Sequence, residues 1–297
     1  NALLIAGTEA QQAEYLPQIV EGTLTATLAY TGAAAAKHGG DWGANAVTAT
    51  YKKSGDNFVL NGTLRYVIDG HTADLLIIAA RAENSQGENG ISLFAIPAST
   101  AGISRRWTPT MDQTRHQADV VLNHVSVPRS ALMNNEGAGW SSLHKIISLA
   151  KIAVAAEQMG GAQEILDRTV AFMQERVQFG RSIASFQAIK HKAADMMLKC
   201  EVSRSAVYYA ACVAQEALQV DGDKTLAAEL HEAAAMAKGY CSDTFFFNAG
   251  SAIQLYGGVG FTWEYDVHLY FKRAKNTELF LGNSAYQREL VAQMLLD

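Results

Sequence analysis

Residues 176–200 read RVQFGRSIASFQAIKHKAADMMLKC, and this stretch decides the fold class. Just upstream, Ile165, Leu166, Thr169, Phe172 and Met173 recur at the spacing that lines one face of a helix. Gly180 stops that helix. A second starts at Ser185 as its N-cap and carries Phe186, Ile189, Ala193, Met197 and Cys200 along one face. Helical segments are also expected over 227–247 and 283–296, with Asp221-Gly222-Asp223 as a turn between helices. From Trp140 onward the chain therefore reads as an antiparallel bundle of long helices.

The four prolines support this division. Pro17, Pro97, Pro109 and Pro128 all precede the helical portion, and a proline-free remainder is what uninterrupted helices require. Before Pro128 the texture is β. Residues 46–53 and 58–62 are β-prone runs joined by Ser54-Gly55-Asp56, a hairpin signal. Residues 75–79 and 91–96 are dense apolar runs, and 119–128 partly alternates. These predict a β-domain of about six to eight short strands. Residues 1–22 read as the end of a helix followed by a loop into the sheet. The expected domains are thus 1–22, the tail of an N-terminal helical domain; 23–132, a β-domain; and 133–297, a helical bundle. Because Asn1 is followed by no signal-peptide pattern, the chain is expected to begin partway through a longer one.

Of the 297 residues 49% are hydrophobic and 18% charged, a globular composition, and no apolar run reaches a bilayer-spanning length. The net charge of -5 argues against nucleic acid as main partner, since phosphate binding favours a basic face. Cys200, Cys212 and Cys241 are too few and too scattered for a disulfide framework or a metal site. They read as core filler in a reducing compartment, and a cytoplasmic location is expected. His116 and His124 could share a strand face but lack a third metal ligand. Gly257-Gly258-Val259-Gly260 has no strand-turn-helix dinucleotide unit around it. The residues alone stop at a β-domain plus a helical bundle.

Several segments together resemble the acyl-CoA dehydrogenase family. They are Arg176-Val-Gln-Phe179-Gly180-Arg-Ser-Ile183, Phe186-Gln187-Ala-Ile189, and His191-Lys-Ala-Ala-Asp195-Met196. Gln254-Leu-Tyr-Gly257-Gly258-Val-Gly260-Phe-Thr262 follows, with Glu264-Tyr265 and Lys272-Arg-Ala-Lys275. The β-domain adds Asn61-Gly62 through Asp69-Gly70, and the start adds Gly7-Thr8-Glu9-Ala-Gln11 with Tyr15-Leu16-Pro17. The resemblance covers nearly the whole chain in order. It implies an α+β multi-domain fold, a middle β-barrel or sandwich followed by an antiparallel C-terminal four-helix bundle, with the N-terminal helical domain mostly absent.

The resemblance also implies a reaction. A carboxylate removes the α-proton of an acyl-CoA thioester while the β-hydrogen leaves as hydride to FAD, and an electron-transfer acceptor reoxidises the flavin. In the family each FAD lies across a subunit boundary. The half that a chain donates to its neighbour is largely present here. Arg176 matches the arginine on FAD phosphate, Phe179 an aromatic against the cofactor, and Gln187 and Gln254 amides on its adenosine-pyrophosphate end. Gly257 and Gly258 permit close backbone approach.

The half a chain keeps for itself is altered. Tyr66 and Ile68 stand where the family has a Trp-x-Thr pair after an Asn-Gly turn. A flavin edge facing Ile68 would lose a hydrogen bond, about 1–3 kcal/mol. The family's Thr-Glu-Pro segment and Gly-Ser-Asp become Thr31-Gly32-Ala33-Ala34 and Gly39-Gly40-Asp41. The two positions used for the catalytic glutamate hold Leu281 and Ala150, the latter beside Lys151. Losing a positioned base forfeits roughly 10²–10⁴-fold in rate.

The asymmetry implies a subunit without its own catalytic residue, one that completes the FAD site of an intact partner in a heteromeric, α2β2-type acyl-CoA dehydrogenase. Such assemblies resemble those of bacterial steroid side-chain degradation. Two alternatives stand beside it. One is a self-sufficient flavoenzyme whose base has moved to Glu157 or Glu278. The other is a flavin-free scaffold. Lys151 and Asp41 are expected to line the vacated pocket.

Overall fold

A computed structural model describes residues 1–32, 42–133 and 135–296. The chain divides into two compact units, Asn1–Ile147 and Ser148–Asp297.

In the first unit the alternating runs become one seven-stranded sheet. Its strands are β1 (Ala26–Ala29), β2 (Thr50–Ser54), β3 (Asn57–Ile68), β4 (Leu75–Ala82), β5 (Ile91–Pro97), β6 (Ile103–Thr108) and β7 (Gln117–Pro128). The spatial order is β1-β4-β2-β3-β7-β6, with β5 also paired to β4. β2 and β3 form the expected hairpin, closed over two residues with Gly55 at φ 61°. Tyr51, Phe58 and Phe94 meet edge to face at 5.3–5.7 Å in the centre of the buried core.

Two sequence expectations change here. Asn61-Gly62 is no turn: it lies inside β3 at a shift in register against β7. Gly62, at φ 141°, passes so close to Ala49 that a Cβ would come 2.7 Å from the Ala49 Cα. Residues 1–22 form two helices rather than a helix end and a loop, α1 (Ala2–Ala6) and α2 (Glu9–Glu21). A reciprocal capping box between Thr8 and Gln11 starts α2, which runs through Pro17 to a left-handed Gly22. Gln11 also donates to the carbonyls of Ser130 and Leu132, tying α2 to the end of β7. His116 and His124 have separate surroundings. The His116 ring stands against His71 and Trp107, whereas His124 sits at φ 52° beside Asn123.

The second unit takes the rest of α3 (Trp140–Glu175), then a small ribbon β8 (Val177–Gln178) and β9 (Arg181–Ser182), α4 (Gln187–Leu218), α5 (Lys224–Ala228), α6 (Leu230–Tyr256), α7 (Val267–Leu279) and α8 (Ser284–Leu296). α6 is its axis, with α4, α7 and α8 packed on it. The buried Asn248 amide of α6 donates to Ala162 O and Met196 O, joining α6 to α3 and α4. Asp223 caps α5, as the Asp-Gly-Asp turn predicted. Ser185 is not the cap of α4. It closes a 3-10 turn, Ile183–Ser185, donating to Ser182 O, and α4 starts two residues later.

The buried stripe of α4 carries Met196, not Met197, because 189, 193, 196 and 200 keep helical spacing and Met197 is 58% exposed. Cys200 and Cys241 are core residues whose thiols burial pushes up, to about 11 and about 12; Cys212 is exposed rather than filler. Among the described residues no helix is long and apolar enough to cross a membrane, and no three His, Cys, Asp or Glu side chains gather for a metal.

Candidate functional site

The six residues that the sequence singled out for a cofactor lie at one end of the helical unit. α3, α4 and α6 reverse direction in turn, so the end of α3, the start of α4 and the end of α6 fall together. Arg176 is the first residue after α3, and its N–H donates to Phe172 O. Its carbonyl accepts from Ile183 N across the ribbon. The ribbon's loop is Phe179 at φ 55° and Gly180 at φ 77°. A left-handed phenylalanine is strained, and here it stands 91% exposed. Its ring meets Phe186 edge to face at 6.0 Å, next to Gln187 at the first turn of α4. Phe172 stacks on Tyr256 at 4.0 Å, which ties the Arg176 end of α3 to the turn at Gly257.

Gln254, Gly257 and Gly258 end α6 at the surface. Gly257 closes the helix at φ 67°, and a Cβ at either glycine would meet nothing within 4 Å. The open space beside both glycines is a cradle for a close-lying ligand. Gln254 also lines a cleft of about 440 Å³ with Lys192, Phe246, Phe247 and Ser251. Lys192 was missed by sequence reasoning because a lone lysine on an amphipathic helix carries no signal. The Arg176 guanidinium has no ion pair among the described residues. A free fork beside the N-terminal end of a 32-residue helix suits a phosphate oxyanion. Gln187 Nε2 lies 2.8 Å from His191 Nε2. These residues fit the phosphate and adenosine end of a dinucleotide.

Among the described residues, the flavin wall expected in the sheet unit carries an apolar side chain at Ile68, where the resemblance leads one to expect a threonine. Tyr66 sits at φ 58° within a second register shift of β3, its ring 6.2 Å from the buried Trp42. Ile68 pairs with Gln117, and its carbonyl accepts from Thr27 Oγ1 at 2.7 Å. Thr31 is buried, and its hydroxyl donates to Arg65 O. Ala33, Ala34, Gly39, Gly40 and Asp41 lie outside the described residues.

At the two positions where the resemblance leads one to expect the base, the side chains are apolar. Leu281 is 2% exposed and holds φ 60° in the turn between α7 and α8, and Ala150 is half-buried on α3. The two alternative carboxylates are engaged: Glu157 with Arg273 at 2.6 Å, and Glu278 with Lys275 at 2.9 Å. The surroundings of Leu281 hold a feature the sequence reading missed. Lys238, fully buried on α6, donates to Ser242 Oγ and to the carbonyls of Glu278 and Gly282. Burial, and then the charge of Lys151, bring its ammonium down to about 7. A single lysine inside the apolar run 233–241 was the available signal.

Comparison with known proteins places this architecture. Residues 31–125 match the acyl-CoA dehydrogenase middle domain and residues 137–296 the acyl-CoA dehydrogenase C-terminal domain. An acyl-CoA dehydrogenase of Bacillus subtilis is 30% identical over all of this chain and 75% of its own length. The solved butyryl-CoA dehydrogenase of Megasphaera elsdenii superposes with a TM-score of 0.89 at 30% identity, over 100% of this chain and 74% of that one. A caffeyl-CoA reductase-Etf complex subunit of Acetobacterium woodii is 31% identical over 99% of this chain and 74% of its own length. The chain belongs to the acyl-CoA dehydrogenase family, with that family's middle β and C-terminal helical domains.

Proposed function

We propose that this chain is the subunit of an FAD-dependent acyl-CoA dehydrogenase that lacks the catalytic base and completes the cofactor site of an intact partner. The observation that carries it is a contrast within the helical unit. An outward-facing set suited to cofactor binding, Arg176, Phe179, Gln187, Gln254, Gly257 and Gly258, coexists with Leu281 and Ala150 at both base positions. Bound flavin supplies the hydride acceptor. The chain's own residues hold it: the Arg176 fork takes its pyrophosphate, the two glutamines its adenosine side, and Phe179 covers its edge. The ion pairs of Glu157 and Glu278 weigh against a relocated base.

The finer expectations travel with this reading. They are the antiparallel four-helix bundle, domain boundaries at 22/23 and 132/133, an α2β2 assembly in the cytoplasm, an acyl-CoA substrate and an electron-transferring acceptor. The likeness to an Etf-complex subunit supports the last of these. A bulky, steroid-type acyl group is the substrate suggested by family analogy alone.

The test is FAD content and native mass, for the chain alone and co-expressed with an intact homologue. One FAD per heterodimer and none in the chain alone is expected. Arg176→Ala should then weaken flavin retention about 10–100-fold, the worth of a charged hydrogen bond, with the heteromer intact. One FAD per chain in an active homotetramer would overturn the proposal. Absence of flavin from both preparations, with assembly preserved, would leave a scaffold.

A further inference from the structure

Among the described residues, the helical unit buries two lysine ammonium groups, Lys151 and Lys238, and no Asp or Glu side chain. Lys151 on α3 is 4% exposed, and among the described residues it has no hydrogen bond or ion pair. Its Nζ stands 5.8 Å from the centre of the Tyr286 ring. That ring in turn covers Gly282, where a Cβ would come 2.2 Å from a Tyr286 ring carbon. Leu281 immediately precedes Gly282. One turn before Lys151, and so on the same face of α3, Ser148 Oγ lies 2.7 Å from His231 Nδ1. Lys238 approaches from α6 and grips the Glu278 and Gly282 carbonyls on either side of Leu281.

The acids around this cluster already have cations. Glu278 pairs with Lys275, Asp243 with Arg288 and Glu157 with Arg273. Burial lowers the Lys151 ammonium to about 8, so it keeps its charge at neutral pH. His231 is held below its ordinary value, first by burial and then by the charge of Lys151. An ammonium taken out of water without a counter-ion is costly, and a well-placed, hydrogen-bonded anion beside it offsets part of that cost.

We propose that Lys151, with the Tyr286 ring and the Ser148–His231 pair around it, is a binding site for the carboxylate of a small aliphatic ligand, seated beside Leu281 where the family's base would stand. The inference rests on the reading that Leu281 and Ala150 occupy the base positions of this chain. Two sources share this chemistry, a free short-chain carboxylate and an acyl thioester with a terminal carboxylate.

Calorimetric titration of the isolated assembly with butyrate against butyramide tests the first source. Succinyl-pantetheine against butyryl-pantetheine tests the second. In at least one pair the carboxylate should bind tenfold or more tightly than its neutral counterpart. Lys151→Met should abolish that preference and Lys151→Arg retain it, with Arg proving the site against a folding defect in Met. Equal binding within both pairs, binding of neither probe, or a preference that survives Lys151→Met would overturn the site. FAD content per assembly, measured on the same samples, should be unchanged in Lys151→Met. A failure of the shared-cofactor reading would appear there, independently of the titrations.

Discussion

Lys238 shows how one residue couples burial to pH. Burial is the largest influence on its ammonium and lowers it, Lys151 of α3 lowers it further, and Glu278 of α7 with Cys241 and Asp243 of α6 raise it by less. The folded group titrates near 7, whereas the unfolded one keeps the ordinary value of 10.5. Between those two values the unfolded chain holds more protons, so stability rises with pH across this window. Lys151 adds in the same direction above about 8. Urea midpoints should therefore increase from pH 7 to about pH 8.5, below the ordinary thiol value of 9.0 above which the raised thiols of Cys200 and Cys241 act in the opposite sense, and Lys238→Met should flatten the rise. A midpoint that falls over this range in the unsubstituted protein would contradict the buried lysines. Lys238 also holds the turn that keeps Leu281 in the left-handed region, through two carbonyls that sequence alone could not bring to it.

α3 contains two adjacent glycines, and only one of them is needed for packing. A Cβ on Gly161 would come 2.6 Å from the Phe245 ring of α6, whereas one on Gly160 would meet nothing within 4 Å. Helix propensity alone favours alanine at both by up to about 1 kcal/mol. Gly160→Ala should accordingly stabilise by about 0.5–1 kcal/mol. Gly161→Ala should destabilise by about 1–2 kcal/mol, since overpacking exceeds the propensity gain. Equilibrium denaturation of the two variants checks the opposite signs. The helical stripe of α3 was legible because it follows spacing along one element. The approach of Phe245 was not, because it joins residues 84 positions apart.

The whole helical unit presents large apolar side chains at the end where its candidate site lies. Phe179 is 91% exposed, Trp263 73% and Phe261 71%. On the shared-site reading a partner and a cofactor cover this end. Acrylamide quenching of tryptophan should thus weaken when the heteromer assembles, and Trp263→Phe should remove that difference. Quenching unaffected by assembly would place the partner elsewhere.

The two-part architecture was written in local signals: alternation and a Gly-Asp turn before Pro128, and helical periodicity without proline after it. Family membership was legible too, because its motifs recur in order along the chain. Short-range rules were less dependable where one contact overrode them, as at Gly62 against Ala49 and at Ser185 in its 3-10 turn. Tertiary structure alone decided that Met196 rather than Met197 turns inward, that Glu157 and Glu278 are committed to ion pairs, that Lys238 holds the carbonyls on either side of Leu281, and that Lys151 lies over the Tyr286 ring. The physical reason is range. Periodicity is a property of neighbours on one element, whereas burial and charge at a site depend on side chains from helices that meet only once the chain has folded.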